Sequence, residues 1–121
     1  MSSTNSRNKC DIKRLALCQI SPVIGDIETN QLKIVDWMRK AALSGADLAL
    51  FGELAATGCE LEKLHQVSET KDGPTPEALA NAARELKIAV IYGYSEVENN
   101  DFYNSVMFID KQGTRLAIIA R

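Results

Sequence analysis

Two hydrophobic periods alternate along this chain. A short apolar run, Arg14–Ile20 (RLALCQI), reads as a first strand, and Ser21–Asp26 (SPVIGD) as a loop marked by Pro22 and Gly25. Ile34, Val35, Met38, Ala41 and Ala42 then fall on one face of a helix spanning roughly Thr29–Ser44, with Gly45 where such a helix ends. Asp47–Phe51 is a second buried strand. Strand, helix, strand with short links is a βαβ unit, so these two strands are expected to be parallel neighbours. Trp37 lies beside the helical stripe, where core or inter-domain packing explains it more simply than ligand stacking.

Polar segments separate this unit from a second one. Glu60–Ser68 has room for a short helix with a charged, solvated face, and Glu69–Gly73 is polar loop. Thr75 and Pro76 read as a helix start, a hydroxyl cap followed by proline in the first turn. Leu79, Ala82, Ala83 and Leu86 supply the buried stripe of that helix, which ends near Lys87. Ile88–Tyr94 (IAVIYGY) is β-branched and aromatic, a third strand. Glu98–Asp101 is a turn, and Phe102–Ile109 with Thr114–Ile119 form a hairpin around Asp110–Gly113. Tyr92 and Tyr94, alternating with Gly93, are expected to pack on one sheet face. Met1–Lys13 is polar and aperiodic and is expected to be a disordered tail.

Composition narrows the picture only a little. A chain of 121 residues, 45% apolar and 25% charged, is one small globular domain or part of a larger one. A net charge of -2 gives no reason to expect nucleic acid or an anionic membrane as a partner. No apolar run approaches the roughly 18 residues that would span a bilayer. Cys10, Cys18 and Cys59 are an odd set without C-x-x-C spacing, which points to a reducing, cytoplasmic setting and to no disulfide or metal framework. Cys18 is expected to pack as a small hydrophobe. With His65 the only histidine, a zinc site or a Ser-His-Asp triad has too few partners.

The chemistry concentrates in Ala46–Cys59 (ADLALFGELAATGC). The strand breaks at Gly52, and Glu53 follows at once among Leu48, Ala49, Leu50, Phe51, Leu54, Ala55 and Ala56. Burial without a partner disfavours a charged carboxyl and raises its pKa, which suits a general base. A loop glutamate at the sheet edge, or one paired with a lysine or arginine, is the plainer reading, and local sequence alone favours it.

The order of elements, together with Gln19–Asp26 (QISPVIGD), Gly45–Gly58 (GADLALFGELAATG) and Val90–Asn104 with its YGYSE and FYNS, resembles the N-terminal part of the nitrilase superfamily, the carbon–nitrogen hydrolases. The likeness runs from Arg14 to about Leu116. It implies an α/β fold, the N-terminal half of a four-layer α-β-β-α sandwich. It also implies hydrolysis of amides or nitriles by a Glu-Lys-Cys triad, with no cofactor and no metal. Glu53 falls on the general base. Such chemistry makes sense because an amide is a poor electrophile, so a thiolate attacking it needs a nearby base and a fixed cation.

The departures from the pattern are informative. Gly52 stands where the family has proline, which loosens the turn that aims Glu53. Cys59 stands where tyrosine is usual; it matches a different position from the nucleophile and is not assigned as one. A gap-free count from Gly113 puts Arg121 near the family lysine, and arginine is not a like-for-like replacement for a compact ammonium. Asn104 is similar to a family asparagine near the site, although a hairpin residue bonding to backbone accounts for it equally well.

These readings give a disordered tail over 1–13 and an incomplete carbon–nitrogen hydrolase domain over 14–121. On this expectation the chain carries one triad member and is inactive by itself, with a small amide or nitrile as substrate once completed. The last strand would leave one sheet face uncovered. The alternatives are a non-catalytic half-domain that binds a full-length relative or forms a homo-oligomer, and a fragment of the glutamine-hydrolysing domain of an NAD synthetase. A flavodoxin-like binding domain fits the βαβ start but not the terminal hairpin.

Overall fold

The computed structural model describes residues 12–52, 55 and 73–120. Strand β1 (Leu15–Cys18) leads into helix α1 (Ile27–Leu43), strand β2 (Leu48–Phe51), helix α2 (Pro74–Leu86), and strands β3 (Ala89–Glu98), β4 (Asp101–Ile109) and β5 (Arg115–Ala120). The strands form one five-stranded sheet in the order β1-β2-β3-β4-β5. The first three are parallel, with Leu17 opposite Leu50 and Leu50 opposite Ile91, and β4 and β5 run antiparallel. The α/β class, the parallel βαβ unit and the terminal hairpin are thus as the sequence predicts.

Period-two alternation decides which side chains meet the helices. Ala49, Phe51, Val90, Tyr92, Tyr94, Met107 and Ile109 are buried on the helix-bearing face. They pack against Ile34, Met38 and Ala41 of α1 and Leu79, Ala80 and Ala83 of α2. Cys18 belongs to this core, and burial pushes its thiol pKa up. The rings of Tyr92 and Tyr94 lie 5.7 Å apart on this face, as their alternation with Gly93 requires.

The helix ends follow local chemistry, with one departure from expectation. Asp26 caps α1 by accepting from the Thr29 amide at 3.0 Å, and Gly45, at φ +88°, closes it in the left-handed conformation that glycine adopts without penalty. Helix α2 begins at Pro74, with Gly73 at its N-cap and no side-chain cap bond. Proline fits the first turn because that turn needs no amide donor. Thr75 is therefore inside the helix instead of capping it; its buried hydroxyl accepts from Gln31 Nε2 at 2.8 Å and ties α2 to α1. Trp37 also departs from its expected place: it is 40% exposed, with Lys40 Nζ 4.5 Å above its ring, on the solvent side of α1.

Strand β3 runs four residues past the expected end at Tyr94. The extension exists because β4 pairs with it through Ser95–Asn104, Glu96–Tyr103, Val97–Phe102 and Glu98–Asp101. Asn99 and Asn100, at φ 51° and 68°, make the two-residue turn that joins them.

The other sheet face carries Leu15, Leu17, Leu50, Ile91, Val106, Phe108 and Leu116, and no described helix covers it. Leu15, Leu17 and Leu116 are 51%, 72% and 60% exposed. The region predicted as a short helix, Glu60–Ser68, and the tail up to Asp11 lie outside the described residues. Among the described residues no helix is long and apolar enough to cross a membrane.

Candidate active site

Strands β1 and β2 end side by side at Cys18 and Phe51, just before Gly52. In sheets of this kind ligands sit beyond those ends. Phe51 anchors β2 in the core, and the chain then leaves the strand at Gly52, whose carbonyl accepts from the Gly93 amide of β3 at 3.2 Å. Leu50 and Gly52 on β2, Ile91 and Gly93 on β3, and Asn104 and Val106 on β4 share the open face by alternation and register. With Phe51 they line a cavity of about 370 Å³. That volume is within the range of small-molecule sites.

The cavity is there because two neighbouring positions lack side chains. A Cβ built on Gly52 would meet no atom within 4 Å. Gly93, its hydrogen-bonded neighbour, likewise projects nothing onto the open face. Around this gap the walls are hydrocarbon. Asn104 is the one polar side chain among the described lining residues, and none of those residues is charged.

The β1–α1 loop at the same sheet end is held firmly. Asn30, fully buried, donates from Nδ2 to the Val23 carbonyl at 2.9 Å and accepts from the Val23 amide at 2.7 Å. Lys33 Nζ donates to the Ser21 carbonyl at 2.7 Å. Asp26, held below the usual carboxylate range by the Thr29 amide and hydroxyl, completes the loop.

Of the residues singled out from sequence, the structure brings Gly52 and Asn104 together at one cavity. Glu53 directly follows Gly52 but lies outside the described residues, as do Cys10, Cys59, His65 and Arg121. Leu50, Ile91, Gly93 and Val106 were not identified as site residues from sequence. The available signal was Gly93, since glycine inside a strand marks close approach or missing side-chain volume.

A mixed sheet with helices on one face and a cavity on the other, at the end of β2, defines an α/β protein. The carbon–nitrogen hydrolase family matches residues 14–120, and the chain belongs to that family. It is 33% identical over 106 residues to a protein from Pseudomonas protegens named hydrolase in pqqF 5′ region, covering 85% of this chain and 36% of that one. It is 35% identical over 114 residues to the bromoxynil-specific nitrilase of Klebsiella pneumoniae subsp. ozaenae, covering 83% and 33%. Among solved structures, an amidase from Nesterenkonia sp. AN1 superposes with a TM-score of 0.78 at 26% identity, covering 88% of this chain and 43% of that one. Variants of the same amidase have been solved with acrylamide and with butyramide. The chain spans about a third of the two curated relatives' lengths.

Proposed function

We propose that this chain is the N-terminal part of an amidase- or nitrilase-type hydrolase, and that Glu53 is its general base. The observation that carries the reading is the placement of Gly52, the residue before Glu53, in the wall of a ligand-sized cavity at the end of β2. A carboxyl beside hydrocarbon walls holds its proton more strongly than one in water, which brings a glutamate toward the range where it accepts a proton from a thiol at neutral pH. The nucleophilic cysteine has no matching position in these residues, and the position of the charge-stabilising lysine falls near Arg121, an arginine. The three groups act as a unit, so the 121 residues alone are expected not to turn over.

The substrate class is a small amide or nitrile. The test is ammonia release from butyramide and from an aromatic nitrile, by the chain alone and by the chain extended through a relative's remaining sequence. The extended protein is expected to hydrolyse at least one of the two, and Glu53→Gln to abolish that activity. Undiminished hydrolysis by the extended protein carrying Glu53→Gln would exclude Glu53 as the base.

The open sheet face favours a second reading, a non-catalytic half-domain that pairs with a full-length relative. Leu15, Leu17 and Leu116 offer the apolar surface for it. Co-purification of the chain with such a relative, lost on Leu17→Lys, is the result this reading requires.

A further inference from the structure

We infer that a cavity at the other end of the sheet, between Asp47 and the β4–β5 turn, is a second small-molecule site, and that it takes a zwitterion, an α-amino acid with an apolar side chain. The cavity holds about 320 Å³, within the range of small-molecule sites. It lies where β2 and β3 begin and β4 ends, whereas Gly52 follows the end of β2. The site needs nothing from the hydrolytic reading of the Gly52 cavity.

Two carboxylates in the wall are fixed by backbone. Asp47 Oδ2 accepts from the Lys13 and Arg14 amides at 2.9 and 3.0 Å. Asp110 Oδ1 accepts from the Gln112 and Thr114 amides, both at 2.9 Å. Each carboxylate keeps its second oxygen outside these bonds, so a positive group finds acceptors already in position. Two ammoniums, Lys87 and Lys111, line the same cavity, and neither forms an ion pair among the described residues. The Lys13 and Arg14 amides hold the Asp47 carboxyl below its ordinary range, and the charge of Lys111 adds to them. Lys111 is thus near Asp47 without being bonded to it. Opposite charges set apart in this way match a ligand that carries both signs on one carbon, and a molecule with one sign alone answers half of them. Ile12, Ala89 and Phe108 give the wall a hydrocarbon surface for the side chain.

The backbone at Lys87 points the same way. Lys87 caps α2 in the left-handed conformation, φ 55° and ψ 45°, where glycine is favoured and a side chain costs stability. Helix α1, by contrast, is closed by Gly45 at φ +88°. The dipole at a helix C-terminus favours a cation, but Arg84 already supplies one in the last turn of α2. A lysine kept at a glycine position, in the wall of a cavity, is the kind of strained residue that binding sites retain.

The test titrates the ¹⁵N-labelled 121-residue chain with L-leucine, which has no amide or nitrile for a hydrolytic site to act on. Leucine is expected to shift the backbone amides of Lys87, Ala89 and Gln112 and to leave those of Gly52, Gly93 and Val106 in place. Isocaproate, which lacks the ammonium, and isoamylamine, which lacks the carboxylate, are each expected to bind about tenfold more weakly or not at all, the loss of a charge-assisted contact. Lys87→Gly is expected to raise the urea midpoint, because the left-handed cap is then unstrained, and to weaken leucine binding by about tenfold. Absence of leucine binding, shifts centred on Gly52 and Gly93, binding of the acid or the amine as tight as that of leucine, or undiminished leucine binding in Lys87→Gly would each overturn the proposal.

Discussion

Gly93 donates its amide to the carbonyl of Gly52 at 3.2 Å, so the last bond between β2 and β3 among the described residues joins two residues without side chains. This bond carries the parallel pairing up to the residue before Glu53. It also leaves the space that becomes the cavity. Pairing and vacancy therefore have one origin, and the two glycines should respond differently to substitution.

Gly52 does not need to be glycine for its backbone, because its φ is outside the left-handed region and an added Cβ meets nothing within 4 Å. Gly52→Ala is expected to stabilise the fold by about 0.4–1 kcal/mol by restricting the unfolded chain. Gly93→Val, placed between Gly52 and Val106 on the open face, is expected to fill the cavity and abolish any shift of the Gly52 and Val106 amides on titration with butyramide. Urea midpoints give the first result and amide titrations the second; a cavity still binding in Gly93→Val would show that it is not the one that ligands use.

The Asn30–Val23 pair makes a second prediction. The Val23 amide donates to Asn30 and its carbonyl accepts from Asn30 as well as from the Asp26 amide, so one fully buried side chain grips both sides of Val23 in the β1–α1 loop. Leucine has nearly the shape of asparagine and none of its bonding. Asn30→Leu is expected to cost about 1–3 kcal/mol, the range for removing buried partners. Hydrogen exchange at the Val23 amide should rise well before that of the core strands. Unchanged protection there would mean that Lys33 and Asp26 hold the loop without Asn30.

What sequence made legible was local periodicity. The stripe of Ile34, Met38 and Ala41 and the alternation of Val90, Tyr92 and Tyr94 placed α1 and β3 correctly, because each element's own residues state which side is buried. Sequence failed where a distant strand decides. Ser95, Glu96 and Glu98 look like the start of a loop, and only pairing with β4 makes them strand. Glu96 is buried there with Tyr94 donating to its Oε1 at 2.8 Å, an arrangement no local pattern announces. Thr75 was misplaced by two residues because a cap and a first-turn hydroxyl read alike beside two prolines. Family likeness, and not local pattern, singled out Asn104, which lines the cavity. The cavity depends on Gly52 and Gly93, which lie far apart in sequence, meeting across two strands.

The acid limb of stability should report two carboxylates at opposite ends of the sheet. Asp26 is held below its ordinary value first by the Thr29 amide, and Asp47 first by the Lys13 amide and then by that of Arg14. A carboxyl with a lowered folded-state pKa contributes stability that is complete above its unfolded value, about 3.9, and is lost as pH falls through the folded one. The chain is therefore expected to weaken below about pH 4. Asp47→Asn, which keeps an oxygen acceptor but does not titrate, should flatten that limb. Urea midpoints between neutral and acid pH check this; a limb equally steep in Asp26→Asn and Asp47→Asn would assign it to other carboxylates.

The open face makes the last prediction, on association. Leu17 and Leu116 stand 72% and 60% exposed near the two edges of the sheet, with half-exposed Leu50, Ile91, Val106 and Phe108 between them. A contiguous apolar face of this kind drives association, and the outer edges of β1 and β5, which pair with no other strand among the described residues, add backbone donors and acceptors to it. The purified chain is expected to self-associate with rising concentration. Leu17→Lys combined with Leu116→Glu should shift it toward monomer in sedimentation. The same pair should change folding stability by no more than about 0.5 kcal/mol per site, since neither side chain is buried. The two substitutions are far enough apart to act independently, so each alone should give part of the shift. Association that persists in the double variant would move the sticky surface to α1, where Leu32 and Leu43 are equally exposed to solvent. Leu32→Lys with Leu43→Glu would then be the pair that disperses the chain.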